Sequence, residues 1–185
     1  MKVFFTATYA GEKEFGKYYR HIYEVLEHMG YSHVDDEAVS ITYEQYIDFM
    51  AKGRKAQVEN YRKKMKCIQE ADICIIESSA HSLGNGFIVQ KSLESAKPTI
   101  VLYYKNNIPY FLAGVEDEKL IVSSYTSDNY INVIQKVLSL AREKRDKRFN
   151  FFLSPKLLQY IDDTSKERDV TKSKLLRDMI VRHMR

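Results

Sequence analysis

With 185 residues, 44% of them hydrophobic and 29% charged, the chain has room for one full domain of roughly 150 residues and a small appendage. The net charge of +4 is unevenly held: residues 1–145 carry 19 basic and 19 acidic side chains, whereas 146–185 carry 10 against 6, so a polyanion partner is expected of the tail only. The absence of any apolar run of about 18 residues excludes a membrane-spanning helix and no membrane partner is expected, and Cys67 and Cys74 lack His or Cys companions at ligand spacing, which points to reduced packing thiols with neither metal nor cofactor.

The opening MKVFFTATYAGEKEF fits a first strand, over 2–8, better than a signal peptide, and a cytoplasmic location follows as an expectation. After a polar turn at 9–12, Phe15, Tyr18, Tyr19, Ile22, Val25 and Leu26 recur at helical spacing up to Met29, and Gly30 ends the run. Helices are predicted over 43–50 and 57–69, a buried strand over 72–77, a helix over 85–95, a strand over 98–104, a short strand over 119–122, and a helix from about Ser127 into REKRDKR. Strands that are apolar on both faces and alternate with helices predict an α/β domain with a doubly wound parallel sheet, Rossmann-like or flavodoxin-like, over 1–145.

The pattern changes after Arg148. Phe149, Phe151 and Leu153 alternate with Arg148, Asn150 and Phe152, which predicts a strand. Ser154-Pro155 then starts a helix with Leu157, Leu158 and Ile161 on one face, and a second helix begins at Thr171 with a stripe of Leu175, Leu176, Met179 and Ile180. A strand and two short helices in so few residues bury too little to stand alone, so the module 146–185 is expected to pair with another copy.

RFNFFLSPKLLQYIDDTSKERDVTKSKLLRDMIVRHM resembles a ribbon-helix-helix DNA-binding domain through its alternating strand, its Ser-Pro helix start, the connection ERDVTKSKLLR and the aliphatic stripe that follows. The resemblance implies a homodimer or higher even oligomer whose paired strands lie in the major groove of double-stranded DNA. Arg148, Asn150 and Phe152 would then face the bases, and Thr171, Lys172 and Ser173 would clamp a backbone phosphate. Phe152 departs from the polar readers common at its place, and Asp169 replaces the glycine often found between the helices, a substitution that Asp tolerates in the left-handed region.

In the first 140 residues MKVFFTATYAG, QEADICIIE, SLGNGF and KPTIVLYY fall in an order that resembles the nucleoside 2-deoxyribosyltransferase superfamily, in particular the deoxynucleoside 5′-monophosphate N-glycosidases. The resemblance implies a nucleoside monophosphate-like ligand at the strand ends. Thr8, Tyr9 and Gly11 of the first loop would lie on one side, and His81, Ser82, Gly84, Asn85 and Gly86 at a helix N-terminus on the other. It also implies a nucleophilic glutamate just beyond the glycine-aromatic pair and an upstream aspartate that assists the departing base. Ile88 and Lys64 stand at those two positions, and Ala10 stands where the family's first loop has an arginine.

No confident catalytic residue is left. The chain therefore reads as a DNA-binding regulator with a nucleotide-sensing pocket that has lost its nucleophile, the helix from Ser127 being the lever between the two halves. The alternative is an active N-glycosidase or deoxyribosyltransferase using a displaced acid, with Glu77 as the main substitute and Asp48, Glu59 and Asp72 as further candidates.

Overall fold

The computed structural model describes residues 1–145 and 151–184, and the chain divides into two compact units, Met1–Asp146 and Lys147–Arg185. In the first unit the apolar runs become β1 (Lys2–Ala7), β3 (Ile73–Glu77), β4 (Thr99–Tyr104) and β5 (Leu120–Tyr125), together with a two-residue β2 (Ser32–His33). All neighbours pair in parallel, in the order β2-β1-β3-β4-β5. This is the doubly wound, flavodoxin-like order, in which successive crossovers reverse direction between β1 and β3.

Side chains alternate across the sheet, so its two faces collect different partners. Val3, Phe5, Ile73, Ile75, Ile100 and Leu102 pack under α1 (Glu12–His28) and α6 (Tyr130–Glu143). Phe4, Cys74, Ile76 and Val101 pack under α4 (Gly53–Glu70) and α5 (Leu83–Glu94). Both cysteines are free and buried. Helix α1 ends where Gly30 takes φ +79 and the Gly30 and Tyr31 N–H groups bond the Glu27 and Leu26 carbonyls at 2.8 and 3.1 Å, a Schellman stop.

The short α2 (Glu37–Ser40) follows β2, and α3 (Tyr43–Ala51) opens on a reciprocal capping box between Thr42 and Gln45. Several boundaries differ from expectation: α4 begins at Gly53 and α5 at Leu83, four and two residues ahead of the expected starts. β5 continues through Ser123 and Ser124 to Tyr125 because the β4 ladder carries it there. α6 begins at Tyr130, after the Asn129 side chain has accepted the Thr126 N–H at 2.7 Å. A 3-10 segment, Tyr110–Gly114, follows β4.

The second unit contains α7 (Pro155–Glu167), capped by Ser154 with Pro155 in its first turn, and α8 (Lys172–His183), capped by Thr171. Between them Asp169 takes φ 50, the left-handed place at which a glycine would be more usual. Ile161 and Leu175 are buried, whereas Leu157, Leu158, Met179 and Ile180 remain exposed. Of the predicted strand, 148–150 lies outside the described residues, and 151–153 has no regular structure in the single chain. A ribbon built from two copies has no ladder partner within one of them. Among the described residues no helix is long and apolar enough to cross a membrane.

Candidate functional site

The register Ala7↔Glu77↔Leu102 brings the loops after β1 and β3 side by side, at the point where the strand order reverses. That crevice is where ligands of doubly wound sheets bind. The two loops touch: a Cβ on Gly11 would lie 2.6 Å from Ala80 Cβ and 2.5 Å from the Tyr19 hydroxyl, so only glycine fits there. Thr8 contributes its carbonyl, which accepts the Gly11 N–H at 3.0 Å and the Tyr19 hydroxyl at 3.4 Å.

Helix α5 starts at the second loop because the Ser82 side chain accepts the Asn85 N–H at 3.0 Å, and the Gly86 N–H bonds the Ser82 carbonyl at 3.2 Å. Helix geometry leaves the N–H groups of Leu83 and Gly84, the first two helical positions, for a ligand. Asn85, expected in the cradle, instead turns inward: it is buried, and its Nδ2 donates to the Glu77 carbonyl at 3.0 Å. That bond ties the start of the helix to the end of β3. His81 is exposed, with Nε2 3.3 Å from the Asn107 carbonyl.

Four of the eight expected contact residues line one or other of two cavities, and Thr8, Gly11, Gly84 and Asn85 line neither. His81, Ser82 and Gly86 line one of about 850 Å³, walled by Leu83, Phe87 and the 3-10 segment with Phe111. Tyr9 lines another, of about 420 Å³, with Glu37, Gln45, Tyr46, Asp48 and Asn60; both volumes suit small ligands. Tyr9 stacks on Tyr46, with ring centroids 4.8 Å apart. Burial first, and then the nearby Glu37 and Asp35 carboxylates, push its hydroxyl pKa far up.

Neither position where the resemblance implies an acid is free to react. Ile88 is half-buried and packs against the Phe4–Cys67–Ile68 cluster beside Val34 and Met65. Lys64 is buried, with Nζ 2.5 Å from Glu37 and 3.4 Å from Asp35. Lys63 completes the group at 2.8 and 3.3 Å from the same two acids. The Asp35 side chain is 0% exposed. Burial alone would raise its pKa, but Lys64, the Glu37 N–H and Lys63 outweigh burial and hold it below the usual carboxylate range, and Glu37 is held low in the same way. The lysine at the helper position is thus neutralised in place by two acids from the β2–α2 connection. Opposite charge runs at 35–37 (DDE) and 63–66 (KKMK) were the available sequence signal for this cluster.

Glu77, the main candidate substitute, faces the wrong way. Ile76 belongs to the α4/α5 face, with Ile88 and Lys64, so strand alternation places Glu77 on the α1/α6 face. Its carboxylate is 0% exposed. It accepts the Ser79 hydroxyl, the Ser79 N–H at 3.3 Å and the Tyr125 hydroxyl at 2.9 Å, and Tyr19 reaches it as well. Burial pushes its pKa up to about 7 against the pull of these donors. Asp72 sits at the opposite end of β3, accepting the Lys2 N–H at 2.9 Å and pairing with Arg145 at 2.8 Å. Glu59 is exposed on α4. Asp48 lines the cavity that Tyr9 closes.

In the second unit Thr171 caps α8 by accepting the Lys174 N–H at 3.2 Å, and Ser173 is exposed. Lys172, expected at a phosphate, is paired with Asp162 of α7. Phe152 is fully exposed, and Arg148 and Asn150 lie outside the described residues.

No family model matches the chain, and no curated protein matches it. Among solved structures, the CMP N-glycosidase BcmB of Clostridium botulinum matches over 74% of this chain and 98% of that one, at 17% identity and a TM-score of 0.49. The likeness is one of fold.

Proposed function

We propose that the protein is a nucleotide-responsive DNA-binding regulator whose α/β unit receives a nucleoside 5′-monophosphate without cutting it, and whose second unit pairs with another copy to hold DNA. The observation that carries the first half is the pair Ile88 and Lys64. A hydrocarbon in an apolar patch replaces the nucleophile, and an ammonium locked to two carboxylates replaces the helper acid. The Thr8–Gly11 and Ser78–Gly86 loops meet where the strand order reverses, as a nucleotide site of such a sheet requires, and the positions Ile88 and Lys64 supply no attacking group for N-glycoside cleavage through a covalent intermediate.

The second half rests on unit two. Its helices leave Leu157, Leu158, Met179 and Ile180 exposed, and Phe152 ahead of them is exposed as well, which is the surface that pairing with a second copy would cover. The basic excess lies there as well. For ligand and DNA to be coupled, the nucleotide must favour one arrangement of the protein over another. A nucleoside monophosphate should therefore raise the thermal midpoint and change the affinity for an operator-containing DNA fragment. A ligand that changes neither would remove the sensor reading.

One observation favours an enzymatic reading: Asp48 lines the Tyr9 cavity and could serve as a displaced acid. Release of free base that disappears in Asp48→Asn would establish it.

A further inference from the structure

Glu77 presents a problem that its position as a strand residue does not resolve. A fully buried carboxylate normally has a cation or metal to offset its desolvation. The groups facing this one are hydroxyls and an amide N–H: Ser79 from its own loop, Tyr125 from β5 and Tyr19 from α1. The next titratable neighbours are two acids of α1, Glu12 and Glu14, which act on Tyr19, and two further phenols. Tyr104 of β4 and Tyr18 of α1 share a hydrogen bond of 3.0 Å, and their rings pack on Tyr125.

The same residue holds the ligand loop at both ends. Its carboxylate fixes Ser79, whose hydroxyl accepts the Tyr104 N–H at 2.7 Å. Its carbonyl fixes Asn85 in the first turn of α5. The loop between, 79–85, runs into the start of α5, whose Leu83 and Gly84 amides helix geometry leaves without an acceptor, so Glu77 forms its buried foundation.

We infer that Glu77 is a positioning residue through which the loop couples anion binding to uptake of one proton. This deepens the proposed nucleotide reading and rests on it. A phosphate at the loop adds negative charge a few residues away from a carboxylate with no compensating cation, in surroundings that screen poorly. Bound anion and ionised Glu77 therefore oppose each other, and protonated Glu77, donating to one of its present hydroxyl partners, does not. The proton comes from solvent and stays on the carboxyl group; no bond in the ligand changes. The carboxyl group titrates near neutrality because burial raises its pKa, so the linkage operates at ordinary pH.

Calorimetric titration of the full chain with a nucleoside 5′-monophosphate, at several pH values from about 6.5 to 8.5 and in buffers of different ionisation enthalpy, tests the inference; one linked proton changes affinity by at most about tenfold per pH unit. Wild type should bind several-fold more weakly at the alkaline end and take up part of a proton near neutral pH. Glu77→Gln, measured alongside so that the phosphate's own titration cancels, should lose that difference. Should the variant fail to fold, carboxyl-carbon NMR of the wild type gives the same answer, with the Glu77 titration moving upward on saturation with ligand. Binding with identical pH dependence in both proteins, or a Glu77 titration unmoved by ligand, overturns the inference and leaves the nucleotide reading intact. Absence of binding at every pH overturns both.

Discussion

At the scale of single residues, function and stability meet where the two loops touch. Gly11 has no room for a methyl group between Tyr19 and Ala80, so Gly11→Ala should cost about 1–3 kcal/mol, as overpacking of a closed site does, and should loosen the Thr8–Gly11 loop. Chemical denaturation with a parallel ligand titration measures both effects. Glu77 gives a pH signature of its own. With its pKa raised from the usual 4.5 to about 7 in the fold, the native state holds a proton that the unfolded chain has released between those values. This contribution is therefore fully present below pH 4.5 and is lost as pH rises through 7. One buried group shifted this far is worth roughly 3 kcal/mol over that window, and Glu77→Gln should flatten this part of the profile. Asp35 and Glu37, held low, act in the opposite direction and withdraw their stabilisation only in more acidic solution.

At the scale of elements, caps and stops were legible in the sequence because they are local. Ser154 and Thr171 each cap the helix predicted to begin there, and Asp169 takes the left-handed turn expected of it, whereas Ser82, expected in the anion cradle, caps α5, which begins two residues ahead of its predicted start. The ion-pair cluster left only its two opposite charge runs as a signal, because it joins residues 35–37 to α4 across about 30 residues of sequence, and no periodicity reports a contact of that kind. Nor could a pattern of apolar residues show that Glu77 would turn to the face opposite Ile88, since that depends on the strand's register in the sheet. The cluster makes a definite prediction. Lys64→Met leaves Asp35, with its side chain wholly buried, relying on Lys63, and should destabilise the protein by about 3 kcal/mol; adding Asp35→Asn should recover part of the loss in a double-mutant cycle. In the second unit the pairing of Lys172 with Asp162 competes with any phosphate. Asp162→Asn should therefore tighten DNA binding, as read by fluorescence anisotropy, whereas Lys172→Ala should weaken it.

At the scale of the whole molecule, the doubly wound sheet was readable from strands apolar on both faces, and the ligand site proposed above is the switch point between β1 and β3 that its strand order creates. The two-chain ribbon lies beyond what one chain displays, so it is tested in solution. The full chain should sediment as a dimer or a higher even oligomer, and its affinity for DNA should fall steeply and linearly in a double-logarithmic plot against salt, with Lys172→Ala reducing the slope by about two for the two copies. A monomer with salt-independent binding would remove the gene-control half. The central claim, that the α/β unit grips a nucleotide and leaves its glycosidic bond whole, is tested most directly by incubating the purified chain with a panel of nucleoside 5′-monophosphates and resolving free base by chromatography. The account predicts ligands that bind and come back intact. Sustained release of base, abolished by Asp48→Asn or Glu77→Gln, would contradict it.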